Sequence, residues 1–152
     1  EKKAVYNSLG TQKGEATNFI AVGSSAHGVL NDKYYFQNFY EQDLYRKALK
    51  EGRFPIYRGL KIKPDDVIRR EVIRHIRTFF NIEFDFFDKK YPHKFKDYFQ
   101  KELINLKSME NDGLLKINEN NVVLTPLGEH FSPQIANVFD VYNDQEFYKR
   151  AL

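Results

Sequence analysis

The 152-residue sequence contains no cysteine. Without cysteine the chain can form no disulfide, and it has no thiolates with which to hold an iron–sulfur cluster. It also has no apolar run near the length of a membrane-spanning helix and no recognisable signal peptide. The sequence therefore predicts a cytoplasmic protein without membrane contact. Any cluster chemistry would need residues outside this chain.

The charges are nearly balanced, with 24 Lys and Arg against 21 Asp and Glu, a net charge of +3. This field is too weak to indicate a nucleic-acid partner by itself. Hydrophobic residues make up 41% of the chain, enough for a core in one domain with an attached segment of another. Because the sequence starts at Glu1 rather than Met, we expect a segment of a longer protein, and we expect it to be monomeric.

The first recognisable feature is a short apolar run over residues 19–23 that ends in glycine. Such a run, bounded by turn residues, predicts a buried strand. The small residues Ser24, Ser25 and Ala26 follow it, as in loops that bring backbone close to ligands at strand ends. A single strand here would need a larger sheet, so we expect the run to be the tail of one.

The rest of the chain is predominantly helical in pattern. The spacing predicts one helix from residue 38 to Gly52, an extended connector over residues 54–63, and a second helix that opens at Asp65 and carries several arginines on its solvated face. A third helix follows Pro92. Residues 114–124 alternate around a polar tip and predict a β-hairpin, and Thr125 predicts the cap of a last helix with a break near residue 132.

These elements predict a mainly α fold with a small β-hairpin, in the helix, helix, two-stranded wing, helix order of a winged-helix domain. DNA binding would require a basic third helix and wing. Here the third helix mixes lysines with carboxylates, and the wing tip over residues 118–121 is neutral to acidic. We therefore expect no nucleic-acid partner, although a free-standing winged-helix regulator stays an alternative.

No self-sufficient catalytic or metal site is recognisable. The four histidines are scattered and lack partners at ligand spacing. No nucleophile motif or phosphate-binding glycine loop is present. The sequence predicts no catalytic residue and no metal ligand in this chain.

Six segments in one order resemble the C-terminal third of the oxygen-independent coproporphyrinogen III oxidase family of radical S-adenosylmethionine enzymes. They are VGSSAHG, YRGL, DDVIRREVI, ENDGLL, VVLTPLGEHF and IANVFDVY. None is specific alone, but the set in this order extends over nearly the whole chain, from about Val5 to Tyr142.

The resemblance implies a fold and a reaction. The family has an N-terminal barrel whose Cys-x-x-x-Cys-x-x-Cys loop holds a [4Fe–4S] cluster, and it decarboxylates two propionates of coproporphyrinogen III to give protoporphyrinogen IX. By this resemblance, residues 1–31 would be the end of the radical SAM α/β barrel, residues 32–64 a helix and linker, and residues 65–152 the winged-helix-like domain. Because the cysteine motif is absent, we expect this chain alone to be inactive and to bind no cofactor.

The resemblance also implies ligand contacts. Ser25, with Ser24 and Ala26 beside it, would contact S-adenosylmethionine. The four carboxylates of coproporphyrinogen call for guanidinium groups, which bind carboxylates through two parallel hydrogen bonds. The candidates are Arg58, Arg69 and Arg70, and helix phase favours Arg69 over Arg70.

His27 departs from one common form of the loop and matches haem-handling relatives. A segment of a haem chaperone or haem-utilising relative is therefore the second alternative.

Overall fold

The computed structural model describes residues 4–7, 10–13, 18–31 and 33–142. The strands are β1 Ala4–Asn7, β2 Gly10–Lys13, β3 His27–Leu30, β4 Tyr34–Asn38, β5 Ile56–Lys61, β6 Asn81–Glu83, β7 Leu115–Ile117 and β8 Asn121–Leu124. The helices are α1 Gln42–Lys50, α2 Pro64–Phe79, α3 Phe84–Lys90, α4 Phe95–Tyr98, α5 Gln100–Asn111, α6 Pro126–His130 and α7 Ser132–Asn137. None of the helices in these residues is both long and apolar enough to cross a membrane.

The described residues form two compact units. One contains residues 18–31 and 33–67, and the other contains residues 4–7, 10–13 and 68–142. The boundary follows Val67, inside α2. The domain boundaries predicted from the sequence stay predictions.

The first unit is built on an antiparallel sheet in the order β3-β4-β5. Phe36, in the central strand, pairs with Gly28 on one side and Gly59 on the other. A Cβ at Gly28 would lie 2.1 Å from the ring of Phe36, so the ring occupies the space that a side chain would need. The register of β4 against β5 shifts between Gln37 and Asn38. The extra residue of this bulge is Tyr57 in β5, because Arg58 pairs with Gln37 and Ile56 with Asn38.

The expectation of a buried strand in this unit was wrong. Residues 19–23 do not form one: Phe19 makes one isolated bridge with Val29, and Ile20 and Val22 are 87% and 83% exposed. The fold is helical with small antiparallel sheets, as expected in outline, but the sequence did not predict the β3-β4-β5 sheet. Neither β4 nor β5 has the alternation of buried and exposed residues that is typical of a half-buried strand.

The second unit contains the main hydrophobic core. Val72 and Ile76 of α2 are fully buried in it. The rings of Phe84 and Phe95 stack there at 4.7 Å. The other buried members are Ile82, Phe87, Phe99, Leu106, Leu115, Val122, Leu124, Ile135, Ala136 and Phe139. The helices predicted to open at Asp65 and to follow Pro92 therefore both contribute to this core.

The C-terminal elements follow the predicted order. β7 and β8 form the predicted hairpin, and β6 adds a third strand on the other side of β8. Thr125 caps α6: its hydroxyl oxygen accepts a hydrogen bond from the Gly128 N–H at 3.1 Å, and Pro126 takes the first helical position. The chain then breaks at Phe131 before α7, as predicted near residue 132.

Candidate functional site

The predicted cofactor loop has an unusual backbone conformation. Gly23 has a φ of 102° and Ser25 a φ of 62°. Glycine adopts positive φ without steric cost, but serine does so only when the surroundings hold it there. Two positive φ angles within three residues turn the chain sharply between Ala21 and Ala26.

Asn38 and Tyr45 hold this loop from within the unit. The Asn38 side-chain amide donates to the carbonyl oxygens of Ala21 and Gly23, at 3.2 and 2.9 Å. The Gly23 N–H donates to the hydroxyl oxygen of Tyr45 at 3.0 Å. Two backbone hydrogen bonds, Ser25 N–H to Phe39 and Asn38 N–H to Ala26, both 2.9 Å, complete the attachment. The loop is thus fixed by a buried amide.

A second set of hydrogen bonds connects the loop to Arg58. The Gln37 side-chain amide donates to the Ser25 carbonyl oxygen at 3.2 Å, and its own oxygen accepts from the Nε–H of Arg58 at 2.9 Å. The guanidinium also lies 5.9 Å from the centre of the Tyr57 ring. Ser25 and Arg58, both predicted site residues, therefore lie at the two ends of one hydrogen-bonded relay through Gln37.

The loop and Arg58 present polar groups that could bind a ligand. Ser25 and Arg58 are exposed. Within the described residues, the hydroxyls of Ser24 and Ser25 and the two terminal NH₂ groups of Arg58 make no hydrogen bond. A guanidinium held at Nε keeps its other donors for a carboxylate.

Aromatic side chains surround Arg58. The Tyr57 ring lies 5.8 Å from the rings of Phe39 and Tyr40. A hydrogen bond to Glu41, followed by the negative charge of that carboxylate, raises the pKa of Tyr40. Arg58 is therefore surrounded by aromatic rings, with the Glu41 carboxylate next to Tyr40.

Arg69, the favoured candidate on α2, belongs to the other unit and already has partners there. Its guanidinium donates to the Glu102 carboxylate at 2.7 Å and to the Phe139 carbonyl oxygen at 3.3 Å. It lies 5.4 Å from the centre of the Phe99 ring. The two charged side chains are only 14% and 11% exposed. Arg69 is therefore explained by folding alone, and its contact with a substrate stays a prediction.

Glu71 lies at the centre of a second charged cluster on α2. This buried carboxylate accepts hydrogen bonds from Lys90 at 2.6 Å, from Arg74 at 3.1 Å and from the Tyr91 hydroxyl. Burial acts to raise the pKa of Glu71, but the hydrogen bonds of Lys90 and Tyr91 and the charges of Lys90 and Arg74 outweigh it and lower that pKa. Burial raises the pKa of the Tyr91 hydroxyl, and its hydrogen bond to Glu71 and the charge of that carboxylate raise this pKa further. The charges of Arg74 and Arg70 act in the opposite direction.

The α2 arginines do not form the solvated basic face that the sequence predicted. Arg69 and Arg74 have carboxylate partners, and Arg77 donates to the Ser132 hydroxyl at 3.0 Å. No group of three or more potential metal ligands is present within the described residues.

Three residues that fix the loop were missed by sequence reasoning: Gln37, Asn38 and Tyr45. The pattern assigned residues 38–52 to a helix, so Asn38 counted as a helix start and Tyr45 as an apolar-face residue. A polar Gln-Asn pair after three aromatic residues was the available signal. The sequence alone could not show that this pair would contact the loop, because those contacts depend on how the sheet folds.

Comparison with known proteins defines the class of this region. Residues 62–129 match the family model described as the HemN C-terminal domain, so this part of the chain is similar to that domain.

The curated relatives are much longer than this chain. Oxygen-independent coproporphyrinogen III oxidase of Helicobacter pylori strain J99 is 34% identical over 126 residues, which are 83% of this chain and 27% of the relative. The enzyme of that name from Synechocystis is 33% identical over 90% of this chain and 31% of the relative.

Among solved structures, coproporphyrinogen III oxidase (HemN) from Escherichia coli, described as a radical SAM enzyme, matches with a TM-score of 0.87 and 28% identity. The match covers 93% of this chain and 32% of that one. The resemblance to the C-terminal region of oxygen-independent coproporphyrinogen III oxidases is confirmed. The chain spans less than a third of these proteins.

Proposed function

We propose that this chain is the C-terminal region of a radical SAM enzyme that oxidatively decarboxylates coproporphyrinogen III to protoporphyrinogen IX. In this proposal, the loop over residues 21–26 contacts S-adenosylmethionine, and Arg58 binds a substrate propionate. The observation that carries it is the relay from Ser25 through Gln37 to Arg58, which joins a cofactor-type loop to a carboxylate-binding group. The names of the relatives support the reaction.

The loop fits a cofactor on chemical grounds. Small side chains at Ser24, Ser25 and Ala26 allow close approach, and the two hydroxyls can donate or accept hydrogen bonds. S-adenosylmethionine supplies the radical that initiates such oxidations. The residues of this chain bind and orient it. The [4Fe–4S] cluster does not fit this chain, which has no cysteine, so its ligands would come from elsewhere in the longer protein.

Arg58 is the better supported of the three arginines for substrate binding. Its Nε is held by Gln37, which fixes the plane of the guanidinium, and its terminal NH₂ groups face solvent beside aromatic rings. A carboxylate bound by both groups would receive charge-assisted hydrogen bonds, while the rings offer an apolar surface to the pyrrole edges. Contacts by Arg69 and Arg70 stay part of the proposal in second place, because Arg69 already has a carboxylate partner.

We further propose that residues 18–31 continue the catalytic barrel and that residues 68–142 are winged-helix-like. Ile20 and Val22 are large, apolar and exposed, which suits packing against a preceding part of the longer protein. The β7–β8 hairpin between α5 and α6, with β6 beside β8, supports the winged-helix assignment. Cytoplasmic location and a monomeric state stay predictions from the sequence.

The test uses Arg58→Ala in the full-length protein with a matched Arg46→Ala control. Arg46 is also exposed in the same unit, on α1. Losing a charge-assisted hydrogen bond costs about 1.5–3 kcal/mol, so we expect Arg58→Ala to raise KM for coproporphyrinogen about ten- to hundred-fold. The KM for S-adenosylmethionine should be nearly unchanged, and Arg46→Ala should behave as wild type.

Equal kinetics of the two variants would contradict the role of Arg58. A full-length protein that binds haem but does not consume coproporphyrinogen would instead favour the haem-handling alternative.

A further inference from the structure

The strongest unassigned feature is the buried amide beneath the loop. Asn38 is 1% exposed, yet it is polar and lies in a unit with few buried residues. Burying an amide is unfavourable unless its groups are hydrogen-bonded, and here both side-chain N–H groups are used. We propose that Asn38, assisted by Tyr45, is a positioning residue that holds the loop in the conformation that binds S-adenosylmethionine. This inference rests on the proposed function of the loop.

The hydrogen bonds act at the residues that determine the turn. The Asn38 amide binds the Ala21 and Gly23 carbonyls, on either side of Val22, and Tyr45 accepts the Gly23 N–H. Gly23 is therefore held at both its N–H and its carbonyl. Since Gly23 has positive φ, its conformation is one of several open to glycine, and these bonds select it.

Gln37 and Asn38 hold different parts of the loop. Successive side chains of a strand point to opposite faces, and these two residues are consecutive in β4. The bulge beside them has its extra residue, Tyr57, in β5, since Arg58 pairs with Gln37 and Ile56 with Asn38. Gln37 holds the Ser25 carbonyl, while Asn38 holds those of Ala21 and Gly23. Asn38 thus fixes the entrance of the loop, and Gln37 its exit toward Arg58.

Asparagine is the side chain that this position requires. Aspartate has the same shape but no N–H donors, and its charge would face two carbonyl oxygens. Leucine would fill the space and leave both carbonyls without a partner. In the longer protein, either change would release the loop while leaving Ser24, Ser25 and Ala26 in place. The effect should therefore fall on cofactor affinity rather than on substrate affinity.

The experiment compares Asn38→Asp and Tyr45→Phe in the full-length protein, with Asn118→Asp at the exposed hairpin tip as the matched control. Equilibrium binding of S-adenosylmethionine, both KM values and the melting temperature are measured. From the usual net worth of a hydrogen bond, we expect about ten- to hundred-fold weaker S-adenosylmethionine binding for Asn38→Asp and about two- to tenfold for Tyr45→Phe. The KM for coproporphyrinogen should change less than about threefold, and the control should match wild type.

A purely structural role predicts a different pattern: a lower melting temperature with both KM values affected equally. That pattern, or unchanged S-adenosylmethionine affinity in folded variants, would overturn the inference. If Asn38→Asp does not fold, Tyr45→Phe alone tests the inference, because it removes only the hydroxyl that accepts the Gly23 N–H.

Ser25→Trp separates this inference from the proposed function, because a bulky side chain should block a cofactor at the loop. If Ser25→Trp blocks binding while Asn38→Asp and Tyr45→Phe bind normally, the positioning role alone fails. If Ser25→Trp also binds normally, the loop does not contact the cofactor and both proposals fail.

Discussion

At the scale of single residues, Arg69 gives the sharpest stability prediction. Its partner Glu102 is buried, so Arg69→Ala leaves a carboxylate without its guanidinium in the protein interior. Breaking a buried ion pair in this way costs about 3–5 kcal/mol. We expect the free energy of unfolding, measured by urea titration of this chain, to fall by about 3 kcal/mol.

The matched control is Lys89→Ala, because Lys89 and Asp85 form an ion pair whose side chains are 77% and 80% exposed. Exposed pairs contribute about 0–1 kcal/mol, so this variant should be close to wild type. The double variant Arg69→Ala, Glu102→Ala should lose less than the sum of the single losses. If Arg69→Ala costs no more than Lys89→Ala, the stabilising role of the pair is wrong.

Glu71 predicts a specific pH dependence. Its pKa is lowered from the ordinary value of 4.5, so its ionised form stabilises the folded state above that value. This stabilisation is lost as the pH falls through the lowered pKa of the folded state. We therefore expect Glu71→Gln to be less stable than wild type at neutral pH, with a difference that shrinks as the solution is acidified below about pH 4.5.

The measurement is urea unfolding across that pH range, with Glu119→Gln at the exposed hairpin tip as the control. A constant difference between wild type and Glu71→Gln at every pH would contradict the assignment.

Residue roles could be predicted only where they depend on local sequence. The Thr125 cap follows from its neighbours, Pro126 above all, and it was predicted correctly. The partner of Arg69 is 33 positions away in the sequence, and the two carbonyl partners of Asn38 are 17 and 15 positions away. Helix phase favoured Arg69 over Arg70, but it could not show that Arg69 is already paired with a carboxylate.

At the scale of elements, Gly128 in α6 lies directly against the backbone that precedes β7. A Cβ at this position would lie 1.7 Å from the carbonyl oxygen of Leu114, just before β7. Because the obstacle is backbone, it cannot move aside as a side chain would. We expect Gly128→Ala to lower the free energy of unfolding by about 3 kcal/mol.

Gly113→Ala is the comparison, since Gly113 has a φ of +74° but open space around it. In Gly113→Ala we expect the free energy of unfolding to fall by only about 1–2 kcal/mol, the cost of an alanine in this left-handed backbone conformation. Equal losses in the two variants would mean that α6 shifts to accept the methyl group.

The elements that the sequence predicted correctly are those with local signals. The β7–β8 hairpin has an alternating pattern and a polar tip, and α2 has an acidic first turn and an apolar stripe. The β4 strand pairs with β5, some twenty residues away. All six β5 residues are exposed, and β4 runs from exposed to buried residues, so neither strand shows the alternation of buried and exposed residues that is typical of a half-buried strand. Residues 19–23 show the converse: an apolar run does not establish burial.

At the scale of the whole molecule, the absence of cysteine makes a prediction about cofactor content. This chain alone, reconstituted anaerobically with iron and sulfide, should show no absorbance of a [4Fe–4S] cluster, because it offers no thiolate. The full-length protein treated in parallel serves as the positive control. A stoichiometric cluster in this chain alone would mean that other side chains are the ligands, and it would contradict the proposed division of labour within the longer protein.

The exposed apolar residues before β3 test whether a preceding part of the protein covers them. Ile20 and Val22 are 87% and 83% exposed in this chain, so replacing both with Ser should leave its melting temperature within about 1 °C of wild type. If a preceding segment buries them, each side chain contributes about 1.5–3 kcal/mol in the full-length protein. The same double variant should then lower the full-length melting temperature by about 5 °C or more. Leu127→Ser, at a position 53% exposed in the other unit, should have the same effect in both proteins. Equal melting temperatures for wild type and the double variant in the full-length protein would show that these residues face solvent there too. The proposal that residues 18–31 continue the catalytic barrel would then fail.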